Sequence, residues 1–157
     1  MNKIVLWPDI RLKVKAEPVA VVTSEIQEIL NNILTVIRKH NAIGLSASHI
    51  GIPLQLVVVL INEPIFMVNP VIVDFSDEKH TSEEGSISFP RIVVPIERHY
   101  SIKVEYLDYF GVTQLVEYSG LTATCIQHEI DQMNGVTLLD RLSPLKRDFY
   151  TKKLMKK

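Results

Sequence analysis

Gln127-His128-Glu129-Ile130-Asp131-Gln132-Met133-Asn134-Gly135 has the build of a metal-binding helix with one letter changed. In H-E-x-x-H, two histidines at i and i+4 share one helix face and hold a metal, and the glutamate beside the first is placed to act as a general base. The fifth position here is Gln132. An imidazole offers a transition metal a good nitrogen lone pair, whereas a neutral amide offers a weak carbonyl oxygen. The reading turns on what the rest of the chain supplies to that helix.

The flanking residues Leu121, Ala123, Thr124, Cys125, Ile126 and Ile130 distribute apolar side chains around most of the helix circumference, which predicts a helix opening at Gly120 and lying inside the domain. With 157 residues, 46% of them hydrophobic, the chain has material for one substantial core, and a single domain over 1–157 is expected. Seventeen basic against eighteen acidic residues leave almost no net charge, so no whole-protein field draws the chain to DNA or an anionic membrane. A basic cluster does close the chain, with Lys146, Arg147, Lys152, Lys153, Lys156 and Lys157. It reads as a solvated helix face that could also touch an RNA backbone.

The one cysteine, Cys125, has no partner for an internal disulfide, which suits a reducing compartment. The first residues, Met1-Asn2-Lys3-Ile4 through Trp7-Pro8-Asp9, lack a long apolar leader segment, and the longest apolar run, Leu54 to Ile61, falls far short of the roughly 20 residues of a membrane span. A soluble, cytoplasmic protein is the expectation.

Upstream, residues 1–20 mix Pro8, Pro18 and charges without period and predict an extended arm on the body. Thr23 or Ser24 caps an amphipathic helix carried by Ile26, Ile29, Leu30, Ile33, Leu34 and Ile37 and ending near His40-Asn41. Gly44 to Gly51 reads as a loop of small residues that allows close backbone approach. Strands follow at Leu54 to Ile61, at Ile65 to Val73 broken by Pro70, at Ile102 to Asp108 and at Gln114 to Tyr118, with a loop between Phe75 and Thr81 and an apolar run at Ile92 to Ile96. Ser143 and Pro144 start a last, basic helix. Strands segregated from a few helices make an α+β domain.

Three stretches in order resemble the peptide deformylase family, metal hydrolases that remove the formyl group from the N-terminal methionine of new chains. They are Ala42-Ile43-Gly44-Leu45-Ser46-Ala47-Ser48-His49-Ile50-Gly51, Glu84-Gly85-Ser86-Ile87-Ser88-Phe89-Pro90 and the opening stretch, against the patterns G-x-G-L-A-A-x-Q-x-G, E-G-C-x-S-x-P and Q-H-E-I-D-H-x-N-G. Pro8-Asp9, Arg11-Leu12, Pro18-Val19 and Asp140 to Arg147 are similar to the family's two ends. The resemblance implies antiparallel sheets around a central helix that here carries an H-E-x-x-Q motif. It also implies a divalent iron, zinc or nickel ion held at the positions of Ser86, His128 and Gln132, two of which are changed.

Serine replaces an anionic thiolate with a neutral hydroxyl, and the set retains one imidazole and no ligand charge. Complete structural zinc sites contribute roughly 10–16 kcal/mol in peptides, and losing two strong ligands forfeits most of it, so no tightly bound metal and no other cofactor is expected in that set. By resemblance, the catalytic positions are Glu129 as base and His49 and the Ile87 backbone N–H toward the substrate oxyanion. His49 could instead join His128 in a rebuilt metal site or be an ordinary satisfied histidine. Cys125, three residues before His128, reads as core rather than as a replacement thiolate. The formylmethionine groove would be lined by Ile43, Gly44, Leu45, Ile87, Leu121, Thr124, Cys125 and His128.

Two functions follow from these residues. One is a deformylase homologue of weak or absent metal-dependent activity that still binds N-formylmethionyl peptides. The other is a working deformylase or related amidase, with a rebuilt metal site or a metal-free mechanism through Glu129 or a Ser86–His128 pair. Ribosome contact through the basic last helix is a further expectation.

Overall fold

A computed structural model describes residues 3–156, so Met1, Asn2 and the Lys157 of the basic cluster lie outside it. The N-terminal arm is extended, as its prolines predict, apart from one 3-10 turn at Ile10–Lys13. It is held by main-chain hydrogen bonds from Val5 to His49, Trp7 to Ser88 and Ala16 to Met133 (2.8–2.9 Å).

Helix α1 spans Ser24–His40, with the Thr23 hydroxyl accepting the Ile26 N–H and Asn41 ending it in the left-handed region (φ 54°). Leu30, Ile33, Leu34 and Ile37 make its buried stripe, the period seen in the sequence.

The next stretch departs from the expected loop. Gly44–Ser46 is a short strand, β1, followed by a 3-10 turn over Ala47–Ile50, and every residue of both is buried. A buried backbone needs hydrogen-bond partners, and β1 finds them by pairing antiparallel with β2 (Leu56–Leu60), Gly44 opposite Val59.

Strand β3 runs unbroken through Pro64–Phe75, where a break at Pro70 was expected. The proline is absorbed by a bulge between Val68 and Val71, because a bulged residue needs no ladder N–H. Asn69 takes φ 53° there and holds the arm, accepting the Val19 N–H at 2.7 Å and donating to the Val19 carbonyl at 2.8 Å.

Strands β4 (Lys79–Ser86) and β5 (Phe89–His99) form a separate hairpin turned by Ile87 and Ser88. Both are longer than their apolar letters indicate, and β4 takes in residues 79–81 of the expected loop, which pair with residues 97–99.

Strands β6 (Ser101–Leu107) and β7 (Thr113–Ser119) complete an antiparallel sheet in the order β1-β2-β3-β6-β7. Helix α2, Gly120–Met133, packs against that sheet with nine of its residues buried, and its Ala123, Ile126, Ile130 and Met133 share a core with Val57, Met67, Ile102 and Val104. Helix α3, Pro144–Met155, is capped by the Ser143 hydroxyl as its sequence predicts. No helix among the described residues is long and apolar enough to cross a membrane.

Candidate functional site

One helix face builds one wall of the site. Leu121, Thr124, Cys125 and His128 recur at i, i+3, i+4 and i+7 on α2, and with Glu129 they line a cavity of about 420 Å³. The facing wall comes from Ile43, Gly44 and Leu45 at β1 and from Glu84, Ser86 and Ile87 where the hairpin turns. All eight residues expected along the groove, together with His49, Ser86 and Glu129, therefore meet in one cavity. Gln132 does not line it.

Gly44 is what lets the two walls approach. A Cβ on it would stand 2.5 Å from the Cys125 sulfur, closer than real side-chain carbons come, and a tight 3.3 Å from the Val58 carbonyl oxygen. Cys125 is buried in the core as expected, its sulfur 3.7 Å from the Ile43 carbonyl oxygen. Burial first, and then the charges of Glu129 and Glu84, push its thiol well above the usual range, so it remains a neutral thiol.

The polar centre is almost sealed. His49 has no exposure, with Nδ1 3.0 Å from the Ser88 hydroxyl and Nε2 3.0 Å from Glu129 Oε1. His128 Nδ1 lies 2.9 Å from Glu84 Oε1, and its Nε2 is 3.9 Å from Glu129 Oε2. Burial, helped by the neighbouring His128, lowers the His49 pKa to about 3, so that ring is neutral. Burial raises Glu129 to about 7 against the opposing pull of His128 and a backbone hydrogen bond from Ser46. For His128 burial works against the charge, but Glu129 and Glu84 outweigh it and hold its pKa above the ordinary imidazole value.

The three positions at which the resemblance puts a metal do not fit one. The Gln132 amide donates to the Leu12 carbonyl at 2.7 Å, across 120 residues of sequence, and is spent on fixing the N-terminal arm. The Ser86 hydroxyl accepts the Ser88 N–H at 3.2 Å, closing the hairpin turn on itself. Neither supplies charge to offset a divalent cation, and each has a structural partner of its own. The Ser86–His128 pair has no hydrogen bond either, since the imidazole nitrogen nearest a partner faces Glu84.

Several side chains of the centre went unassigned in the sequence. Glu84 and Ser88 stand inside a quoted motif and orient the two imidazoles. Arg98 and Asp131 extend the network, Arg98 donating to Asp131 at 2.6 Å, and Thr124 meets His80 at 2.8 Å. Arg98, flanked by Glu97 and His99 at the polar end of β5, carries no local signal of its burial.

A family model described as polypeptide deformylase matches residues 1–148. A peptide deformylase-like protein of Rickettsia conorii is 43% identical over 159 residues, covering 98% of this chain and 87% of that one. A peptide deformylase of Rhizobium meliloti is 36% identical over 162 residues, covering 99% and 93%. Among solved structures, peptide deformylase from Ehrlichia chaffeensis superposes with a TM-score of 0.94 at 33% identity over 98% of this chain and 94% of that one. The same enzyme in complex with actinonin gives 0.93 at 34%, covering 98% and 95%.

Proposed function

Because this chain belongs to the polypeptide deformylase family, with that family's α+β fold of antiparallel sheets around a central helix, we propose that it binds N-formylmethionyl peptides in the α2–β1 groove without hydrolysing them at the family's metal centre. The observation that carries the reading is a split between groove and ligands. The groove's apolar walls are assembled, whereas Gln132 and Ser86, at two of the three family ligand positions, serve the fold through Leu12 and Ser88.

The chemistry of the residues supports the same conclusion. A thioether side chain fits an apolar cavity lined by Ile43, Leu45, Leu121 and Cys125. In this reading the Ile87 backbone N–H at the hairpin turn donates to the formyl oxygen, and His49 acts through Glu129 by holding its carboxyl group, 3.0 Å away. At the family's ligand positions neither Ser86 nor Gln132 supplies a bound Lewis acid, so that centre offers Glu129 no activated water. The reading takes cytoplasmic nascent-chain peptides as the ligands. Helix α3 would face the ribosome, although its Arg147 is turned inward onto the carbonyls of Leu139 and Leu142.

Calorimetry with a formyl-methionyl tripeptide, followed by assay of released formate, tests the reading. Saturable one-to-one binding is expected, abolished by Leu121→Asp at the groove mouth. Turnover is expected to fall short of an active relative's by on the order of a thousandfold, about 4 kcal/mol of barrier. Turnover comparable to that relative would refute the proposal, as would failure of the peptide to bind.

A further inference from the structure

The same cavity floor contains a donor set that the family's ligand positions do not define. His49, His128 and Glu129 each present one ligand atom within 4.8 Å of the other two, and all three are buried. Among the described residues no other group of three or more histidine, cysteine or carboxylate side chains comes together in this way.

Orientation is the second observation. A metal-binding imidazole ordinarily gives its other nitrogen to a hydrogen-bonding partner, which fixes the ring and its tautomer. Both rings are held so here, His49 Nδ1 by the Ser88 hydroxyl at 3.0 Å and His128 Nδ1 by Glu84 at 2.9 Å. Both Nε2 atoms are thereby aimed at one carboxylate, at Oε1 from 3.0 Å and at Oε2 from 3.9 Å. Donors bonded to a tetrahedral zinc at about 2.0–2.1 Å stand roughly 3.3 Å apart, so a cation enters this set with side-chain adjustments of under about 1 Å.

From this geometry we infer that the chain holds one divalent transition-metal ion of the borderline class, such as zinc or cobalt, on His49 Nε2, His128 Nε2 and the Glu129 carboxylate. Two neutral imidazoles and one carboxylate suit such an ion, and they leave a coordination position open toward the groove. With the His49 proton on Nδ1 toward the Ser88 hydroxyl, the proton between Nε2 and Glu129 belongs to the carboxyl group and passes to solvent as the ion enters, leaving a neutral imidazole and a carboxylate as ligands. Glu129 then serves as a ligand, which removes it from duty as a base. His49 thus takes up ligation that Ser86 and Gln132 do not supply. This inference stands apart from the peptide-groove reading, because the metal is read with no peptide present.

The test uses the full chain, stripped with a chelator and crystallised after soaking in zinc, with anomalous scattering locating the ion. The expected result is one peak within bonding distance of the three named atoms. Equilibrium dialysis of zinc should give one ion per chain, with affinity falling about 100-fold or more in His49→Gln and changing by less than about twofold in Ser86→Ala. If His49→Gln does not fold, Glu129→Gln reads the same loss. No peak, a peak among residues 86, 128 and 132, or an affinity unmoved by the folded variant would overturn the inference.

Discussion

Arg98 grips Glu84 with two parallel hydrogen bonds, Nε to Oε2 at 2.9 Å and Nη2 to Oε1 at 2.8 Å, with both side chains buried. Glu84 Oε1 also meets His128 Nδ1, and the third guanidinium nitrogen reaches Asp131, so the pair joins the β-hairpin to α2 directly behind the cavity. Burial alone would raise the Glu84 pKa, but Arg98 and His128 outweigh it and keep the carboxylate below its usual value.

Arg98→Met is therefore expected to destabilise the fold by roughly 3–5 kcal/mol, since it leaves the buried Glu84 carboxylate without its guanidinium partner, whereas the half-buried Asp131 keeps Arg141. Urea denaturation measures the loss. The double variant Glu84→Gln/Arg98→Met should cost less than the sum of its parts by at least about 1 kcal/mol. Strict additivity would show that the two side chains are not coupled.

Gln132→Leu keeps the side-chain volume but leaves the buried Leu12 carbonyl without its donor, which is expected to cost about 1–3 kcal/mol. The effect should be local to the arm. Hydrogen exchange at the Val14 and Ala16 amides should speed up, while amides in β2 keep their protection. Unchanged exchange in the arm would mean that the Gln132–Leu12 bond does not tether it.

Gly44→Ala forces a methyl group against the Cys125 sulfur and should cost about 1–3 kcal/mol as β1 and α2 move apart. Truncating the obstacle in Gly44→Ala/Cys125→Ala should recover part of that loss. Absence of any recovery would place the strain elsewhere, at the Val58 carbonyl oxygen 3.3 Å away.

Asp140 supplies a pH-dependent contribution far from the cavity. It pairs with Lys13 and accepts the Thr137 N–H at 2.8 Å and the Thr137 hydroxyl at 3.1 Å. Partial burial pushes its pKa up, but these partners outweigh it and bring the folded value below the ordinary one. A carboxyl with a depressed folded pKa stabilises above its unfolded value, near about 3.9, and loses that contribution as pH falls through the folded value. Asp140→Asn is thus expected to cost about 1 kcal/mol at neutral pH, with the two proteins converging in acid. Urea titrations across that range check this, and a pH-independent difference would contradict it.

Much of the fold was legible because its signals are local. The period of α1, the Ser143 cap with Pro144, the alternation along β6 and the apolar circumference of α2 each lie within one element and emerged as read. The misreadings share one cause. Gly44 to Ile50 looked like a loop and Pro70 looked like a break, yet pairing with β2 and a bulge against β6 satisfy those backbones, and both partners lie outside the local window.

The sequence by itself determined the family, the central helix and the loss of the thiolate and of the second motif histidine, because residue identity and spacing carry that chemistry. Only the tertiary structure decided what the replacements do instead. Gln132 is spent on Leu12, Ser86 on Ser88, and His49 stands between Ser88 and Glu129. A side chain's hydrogen-bonding capacity is written in its letter, but the partner that consumes it is chosen by packing across 120 residues in one case and 80 in another. That choice turns a ligand position into a strut and brings His49 up to Glu129.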